Sequence, residues 1–222
     1  MSSVLESPEA SEPLDVTVVT LTELATRFGP IPVTRIRISP APGTATERDL
    51  IAVNAGPGIP CELIDGTLVE KAVSAWASRI ALRLAILMGA LVEQKRLGFL
   101  LGEAGFVRLP NLDGRWRSPD LAFYRATPQA EEAVQSTAYP ELSPALAVEV
   151  LSPGNSDTEI NGKVDEYFRS GTELVWVIDP ETKTAKVYAA VDRVTEIDEA
   201  GTLDGGDVLP GFSVKLGTLF ER

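Results

Sequence analysis

Apolar residues are arranged along this chain in runs of three kinds. Between Val73 and Leu97 they recur every three to four positions, with Trp76, Ile80, Leu84, Leu87 and Leu91 on one face and Gly98 just past the end, which predicts a long amphipathic helix. On either side of Asp65-Gly66 lie Cys61-Glu62-Leu63-Ile64 and Thr67-Leu68-Val69-Glu70. That pattern predicts a β-hairpin, because Asp-Gly tolerates the positive φ angles a two-residue turn needs. Ala145 to Leu151 and Leu174 to Ile178 are apolar throughout except for Glu149, and such runs predict strands covered on both faces.

Further elements fit between these landmarks. Strands are predicted at Phe99 to Leu101, Gly105 to Leu109, Asp120 to Tyr124 and Lys186 to Ala189, and a short helix at Glu131 to Thr137. Ser156 begins a capping box with Glu159, so a helix should run from there to about Ser170 and stop at Gly171. Asp179 to Thr182 reads as a turn, and Leu203 to Phe220 as short strands and turns around Gly205-Gly206 and Pro210-Gly211. Residues 1–15 read as a disordered tail and Thr22 to Phe28 as a short helix. Pro30 to Pro60 reads as a Pro- and Gly-rich insertion with edge strands at Val33 to Ile38 and Leu50 to Val53. The order of hairpin, helix, strands, helix and strands predicts one α/β domain over residues 16–222, with a mixed sheet flanked by helices.

Composition narrows the chemistry. The 222 residues include no histidine and one cysteine, Cys61, which excludes His-based triads, His-ligated zinc or haem, and thiolate metal clusters. The longest apolar block, Leu84 to Val92, is far shorter than the roughly 20 residues of a bilayer span, and the N-terminus lacks a secretory signal pattern; a cytoplasmic protein is expected. The net charge of −12 disfavours nonspecific binding to nucleic acid. Catalysis is left to carboxylates, lysines, arginines and hydroxyls.

Glu149 stands out, because a carboxylate in a doubly covered strand loses hydration worth several kcal/mol unless a cation compensates it. Asp120 follows Pro119 at the start of a predicted strand, 29 residues earlier. Two acids and a lysine are what a magnesium-dependent phosphodiesterase needs: hard oxygens hold the ion, and an ammonium orients water or offsets charge. The plainer alternatives are that Glu149 forms a structural ion pair, even with Lys163 itself, that Asp120 caps a turn, and that Glu62 faces water. Lys163 sits at the border of the buried helix face set by Val164, Tyr167 and Phe168. Tyr167 reads as a core aromatic with a wet hydroxyl, Trp176 as core, and Ser152 to Asn155 as a turn. Arg108, Arg115, Arg117 and Arg125 bracket Asp120, either as phosphate binders or as ordinary surface.

The ordered set Cys61 to Gly66, Ser118-Pro119-Asp120, Ala147 to Pro153, Lys163, Tyr167, Val175 to Pro180 and Thr202 to Phe212 resembles the Uma2 family of restriction-endonuclease-like proteins over roughly Glu62 to Phe220. The resemblance implies a PD-(D/E)xK nuclease fold in which Asp120 and Glu149 are metal ligands, the Val150 carbonyl completes the shell, and Glu62 is an accessory acid. The usual lysine slot, two residues after the second acid, holds Leu151, so the resemblance assigns the ammonium to Lys163, 14 residues past Glu149. The function expected is Mg²⁺-dependent hydrolysis of DNA, with Mn²⁺ as a substitute ion, by a homodimer. The rival is a dimeric interaction protein that keeps the fold without catalysis, and the acidic surface favours that rival.

Overall fold

The computed structural model of the chain describes residues 31–221, together with Thr20, Thr22 and Glu23. The expected N-terminal tail lies outside the described residues, as does all of the Thr22 to Phe28 helix except Thr22 and Glu23, which are helical.

Helix α1 (Glu47–Asn54) is followed by hairpin strands β1 (Cys61–Ile64) and β2 (Thr67–Glu70). The long helix α2 (Ala75–Lys95) leads into β3 (Gly98–Gly102), β4 (Val107–Arg108), β5 (Arg115–Arg117) and β6 (Leu121–Arg125). Then come α3 (Pro128–Ser136), β7 (Leu146–Val150), α4 (Asp157–Ser170), β8 (Leu174–Asp179), β9 (Thr184–Ala190) and β10 (Arg193–Ile197). A last hairpin joins β11 (Thr202–Asp204) to β12 (Ser213–Lys215). The main sheet runs β10-β9-β8-β7-β6-β3, with only β7 and β8 parallel, so it is mixed as expected. A smaller antiparallel sheet runs β2-β1-β5-β4.

Alternation along β6, β7 and β8 divides the core between the two faces of the main sheet. Leu121, Phe123, Leu146, Val148, Val150, Trp176 and Ile178 pack against Ile80, Leu84, Met88 and Val92 of α2 and against the C-terminal segment. Ala122, Tyr124, Ala147, Val175 and Val177 face Ile160, Val164 and Tyr167 of α4. By length and apolar content α2 would also pass for a bilayer span, yet its inner side is core against the sheet. The apolar tail residues Leu203, Leu209, Phe212, Leu216 and Phe220 are spent inside this core rather than on a surface that could join two copies.

Several local expectations are corrected. Leu50 to Val53 is helix rather than edge strand, because Thr46 accepts from the Asp49 N–H and Asp49 reaches back to the Thr46 N–H, a capping box that starts α1. Val33 to Arg35 is a 3-10 turn, and pairing there is reduced to one bridge, Ile36 to Val69. The strand expected over Gly105 to Leu109 shrinks to Val107–Arg108, and β5 and β10 went unpredicted. The inner face of α2 is rotated from the expected one, so Trp76 is exposed with the Arg79 guanidinium 5.3 Å from its ring centroid. Ser156 caps α4, but the reciprocal half of its box is replaced: Glu159 is taken by Arg35 at 2.8 and 2.9 Å and by Asn155.

Gly98 lies where α2 turns into β3, and a Cβ there would stand 1.8 Å from the Tyr124 carbonyl oxygen. Gly98→Ala should therefore lower unfolding free energy by roughly 2–4 kcal/mol, measured by urea denaturation, through displacement of the β3–β6 pairing.

Candidate active site

Antiparallel pairing of Leu121 with Val148 carries Asp120 to the position opposite Glu149, one residue before β6 begins. The Val150 N–H donates to Asp120 Oδ2 at 2.8 Å and fixes the carboxylate. Glu149 has the same parity along β7 as Ala147, so its side chain leaves the sheet on the α4 face. There Lys163 and Tyr167, one helical turn apart, both reach it. The Lys163 ammonium lies 3.1 Å from Glu149 Oε2, and the Tyr167 hydroxyl donates to Glu149 Oε1 at 2.6 Å.

The smaller sheet supplies the rest. Glu62 on β1 is 3.3 Å from the Lys163 ammonium, accepts from Arg117 Nη1 at 2.7 Å, and accepts from the Ser118 N–H at 3.2 Å. Arg117 also donates to Glu166 of α4 at 2.7 Å. Lys71, just past β2, donates to the Ser118 carbonyl at 2.7 Å and to Asp120 Oδ1 at 3.0 Å. The four acidic and basic residues expected from sequence thus come together, with Lys163 bridging Glu62 and Glu149.

Burial and charge set the protonation of this cluster. Burial alone would push the Glu62 carboxyl up, but Lys163, Arg117, Lys71 and the Ser118 N–H outweigh it and hold the group at about 2. Glu149 goes the other way: burial raises it, the Asp120 and Glu62 charges add to the rise, and Lys163 offsets only part. Burial would lower Lys163, yet Glu149 and Glu62 together keep its ammonium charged, above the ordinary lysine range. Glu62, Glu149 and Lys163 are sealed at 1%, 3% and 3% exposure. Asp120 lines a cavity of about 170 Å³ with Ser74, Ser152, Glu103 and the Ala77 and Ala81 side of α2.

Sequence reasoning missed Lys71, and it misread Tyr167, whose hydroxyl is bonded to Glu149 rather than wet. The bracketing arginines are all paired: Arg115 with Asp65 and Glu166, Arg117 with Glu62 and Glu166, Arg108 with Asp113 and Glu141, and Arg125 with Glu173. The RxR alternation of β5 was the available signal, since it sends Arg115 and Arg117 to one face.

A divalent ion would be chemically at home beside Asp120. The Lys71 ammonium is already held there by two hard oxygens, the Asp120 carboxylate and the Ser118 carbonyl, and such oxygens suit Mg²⁺. Among the described residues no three acidic or thiol side chains could cage an ion by themselves, so carbonyl oxygens and water would complete the shell.

The sequence profile of a family described as "Uma2: Putative restriction endonuclease" matches residues 48–217. The chain belongs to the Uma2 family. A solved structure described as "a putative nuclease belonging to DUF820", from Anabaena variabilis ATCC 29413, is similar with a TM-score of 0.64 at 18% identity, over 77% of this chain and 96% of that one. At that identity the likeness is one of fold, and the fold of this Uma2 chain is restriction-endonuclease-like. No curated protein matches.

The two glutamates should respond unequally to neutralisation. Glu62→Gln removes one charge partner from each of two buried cations, leaving Lys163 only Glu149 and Arg117 only Glu166, and should cost roughly 3 kcal/mol at neutral pH, while Glu149→Gln, which takes a charge partner from Lys163 alone and keeps an acceptor for Tyr167, should cost less. Because the folded Glu62 value is depressed, its contribution is present above the ordinary 4.5 and disappears as pH falls through about 2. The stability gap between wild type and Glu62→Gln, followed by urea denaturation from pH 6 downward, should narrow across that window.

Proposed function

We propose that this Uma2 chain is a cytoplasmic, divalent-metal-dependent endonuclease that hydrolyses DNA phosphodiester bonds at Asp120 and Glu149. The observation that carries the reading is the convergence of two strand-end carboxylates and an ammonium in a restriction-endonuclease-like sheet, with Asp120 at the edge of a cavity and Glu149 and Lys163 buried behind it. Mg²⁺ is the expected ion, with Mn²⁺ a substitute; when bound it would polarise the phosphate and lower the pKa of a bound water.

The chain's own groups have separate tasks in this reading. Asp120 presents a carboxylate at the cavity, Glu149 adds a second carboxylate behind it, and the Val150 carbonyl would be a third oxygen ligand. Lys163 keeps Glu149 oriented and offers positive charge against the negative charge that develops on the phosphate. Glu62 holds Lys163 in place from the other side. A symmetric pair of copies belongs to the proposal, since cutting both strands takes two centres.

One specific observation favours the rival reading, an interaction protein that keeps the fold without catalysis: every carboxylate of the cluster is already paired, and the chain's net charge is −12. Plasmid cleavage separates the two. The nuclease reading expects cleavage that needs Mg²⁺ or Mn²⁺ and falls at least about 100-fold in Asp120→Asn and in Glu149→Gln, with both variants folded by circular dichroism. No metal binding by calorimetry at millimolar Mg²⁺ or Mn²⁺, and no cleavage, by folded wild-type protein would leave the interaction protein as the better account.

A further inference from the structure

We propose that the Lys71 ammonium occupies the cation position beside Asp120 in the resting protein, and that a divalent ion enters only by displacing it. The inference rests on the nuclease reading of this site and adds a residue that sets its metal affinity.

Three observations support it. First, the two oxygens that hold Lys71 Nζ, Asp120 Oδ1 at 3.0 Å and the Ser118 carbonyl at 2.7 Å, are the hard donors a divalent ion would take. The ammonium and the ion therefore compete for the same ligands. Second, the local charges balance without a metal: Glu62, Asp120, Glu149 and Glu166 stand against Lys71, Arg115, Arg117 and Lys163. Adding two positive charges to this buried set with Lys71 still in place would leave an excess of two, whereas exchange leaves an excess of one, and the low effective dielectric makes that difference count. Third, there is somewhere for the lysine to go. Lys71 adjoins Ala72, which lines the cavity with Asp120, Glu103, Ser74 and Ser152, and about 170 Å³ is room for several waters or a displaced ammonium.

Lys71 is not a surface lysine that happens to reach inward. It is 4% exposed, and its main-chain N–H is bonded to the Pro60 carbonyl, so the stem starts from a fixed point at the end of the hairpin.

The test is calorimetric titration of Mn²⁺ and Mg²⁺ into wild type, Lys71→Met, Lys71→Gln and Lys71→Arg, with thermal unfolding of the same metal-free samples as the check on folding. Lys71→Met and Lys71→Gln should bind Mn²⁺ about tenfold tighter or more, and Lys71→Arg, which keeps the charge, should not. Lys71→Gln retains a hydrogen-bond donor for the Ser118 carbonyl and covers the case in which Lys71→Met does not fold. A crystal of wild type soaked in Mn²⁺ needs no variant: the ion should lie on Asp120 with the Lys71 ammonium out of contact with that carboxylate. Equal affinity in wild type and the neutral variants, or an ion bound with Lys71 still on Asp120, would overturn the displacement and leave the metal-dependent nuclease intact. No binding by any folded variant at millimolar Mn²⁺ would overturn both.

Discussion

One buried ammonium closes this fold. Lys163 reaches from α4 to Glu149 on the main sheet and to Glu62 on the smaller sheet, so a single side chain fixes the helix to both. Its charge is tolerable in that setting only because two carboxylates meet it, and theirs only because Lys163, Arg117 and Lys71 answer them. Removing one member leaves its partners charged in a low-dielectric environment, which is far more costly than the pair is favourable. The cluster therefore imposes registration: β1, β5, β7 and α4 have to arrive together or the charges do not cancel.

The same arrangement divides the cluster into a sealed part and an accessible part. Glu62, Glu149, Lys163 and Arg117 lie inside, while Asp120 stands at the cavity with Lys71 on one oxygen and the Val150 N–H on the other. Glu149 is the one member that burial leaves undercompensated, since its carboxyl is raised although Lys163 touches it. Added positive charge nearby would relieve that carboxylate, and Asp120, its neighbour across the strand pair, is where the cavity admits it. Structural pairing and a catalytic cation site are for this reason compatible in one cluster, and the acidic outer surface does not decide between them.

Much of this was legible in the chain. Asp65-Gly66 fixed the hairpin, with φ of 46° and 72° at the two turn residues. The buried strand with its lone acid, the Ser156 cap and the Gly171 stop all appear where the patterns put them, Gly171 with φ 109°. The capping box of Thr46 and Asp49 starts a helix inside the segment read as a Pro- and Gly-rich insertion. On α2 the periodicity was read correctly and the phase was not. Large residues suggested the inner face, whereas the sheet accepts the small Ala77 and Ala81 there and leaves Trp76, Leu82 and Ile86 outside.

What the sequence determined by itself was local: where the Asp-Gly hairpin, the long helix, the buried strands and the capped helix after them lie, and that Glu149 needs a cation, because these follow from residue type and spacing within a few positions. Tertiary structure decided which cations answer which acids. Lys71 and Arg117 lie 49 and 55 residues from Asp120 and Glu62 respectively, brought near by strand pairing across two sheets, and no spacing rule spans such distances. Whether an acid is sealed or open is decided in the same way, by what packs over it. That is why Glu149 could be singled out from the chain alone while the exposure of Asp120 to the cavity could not.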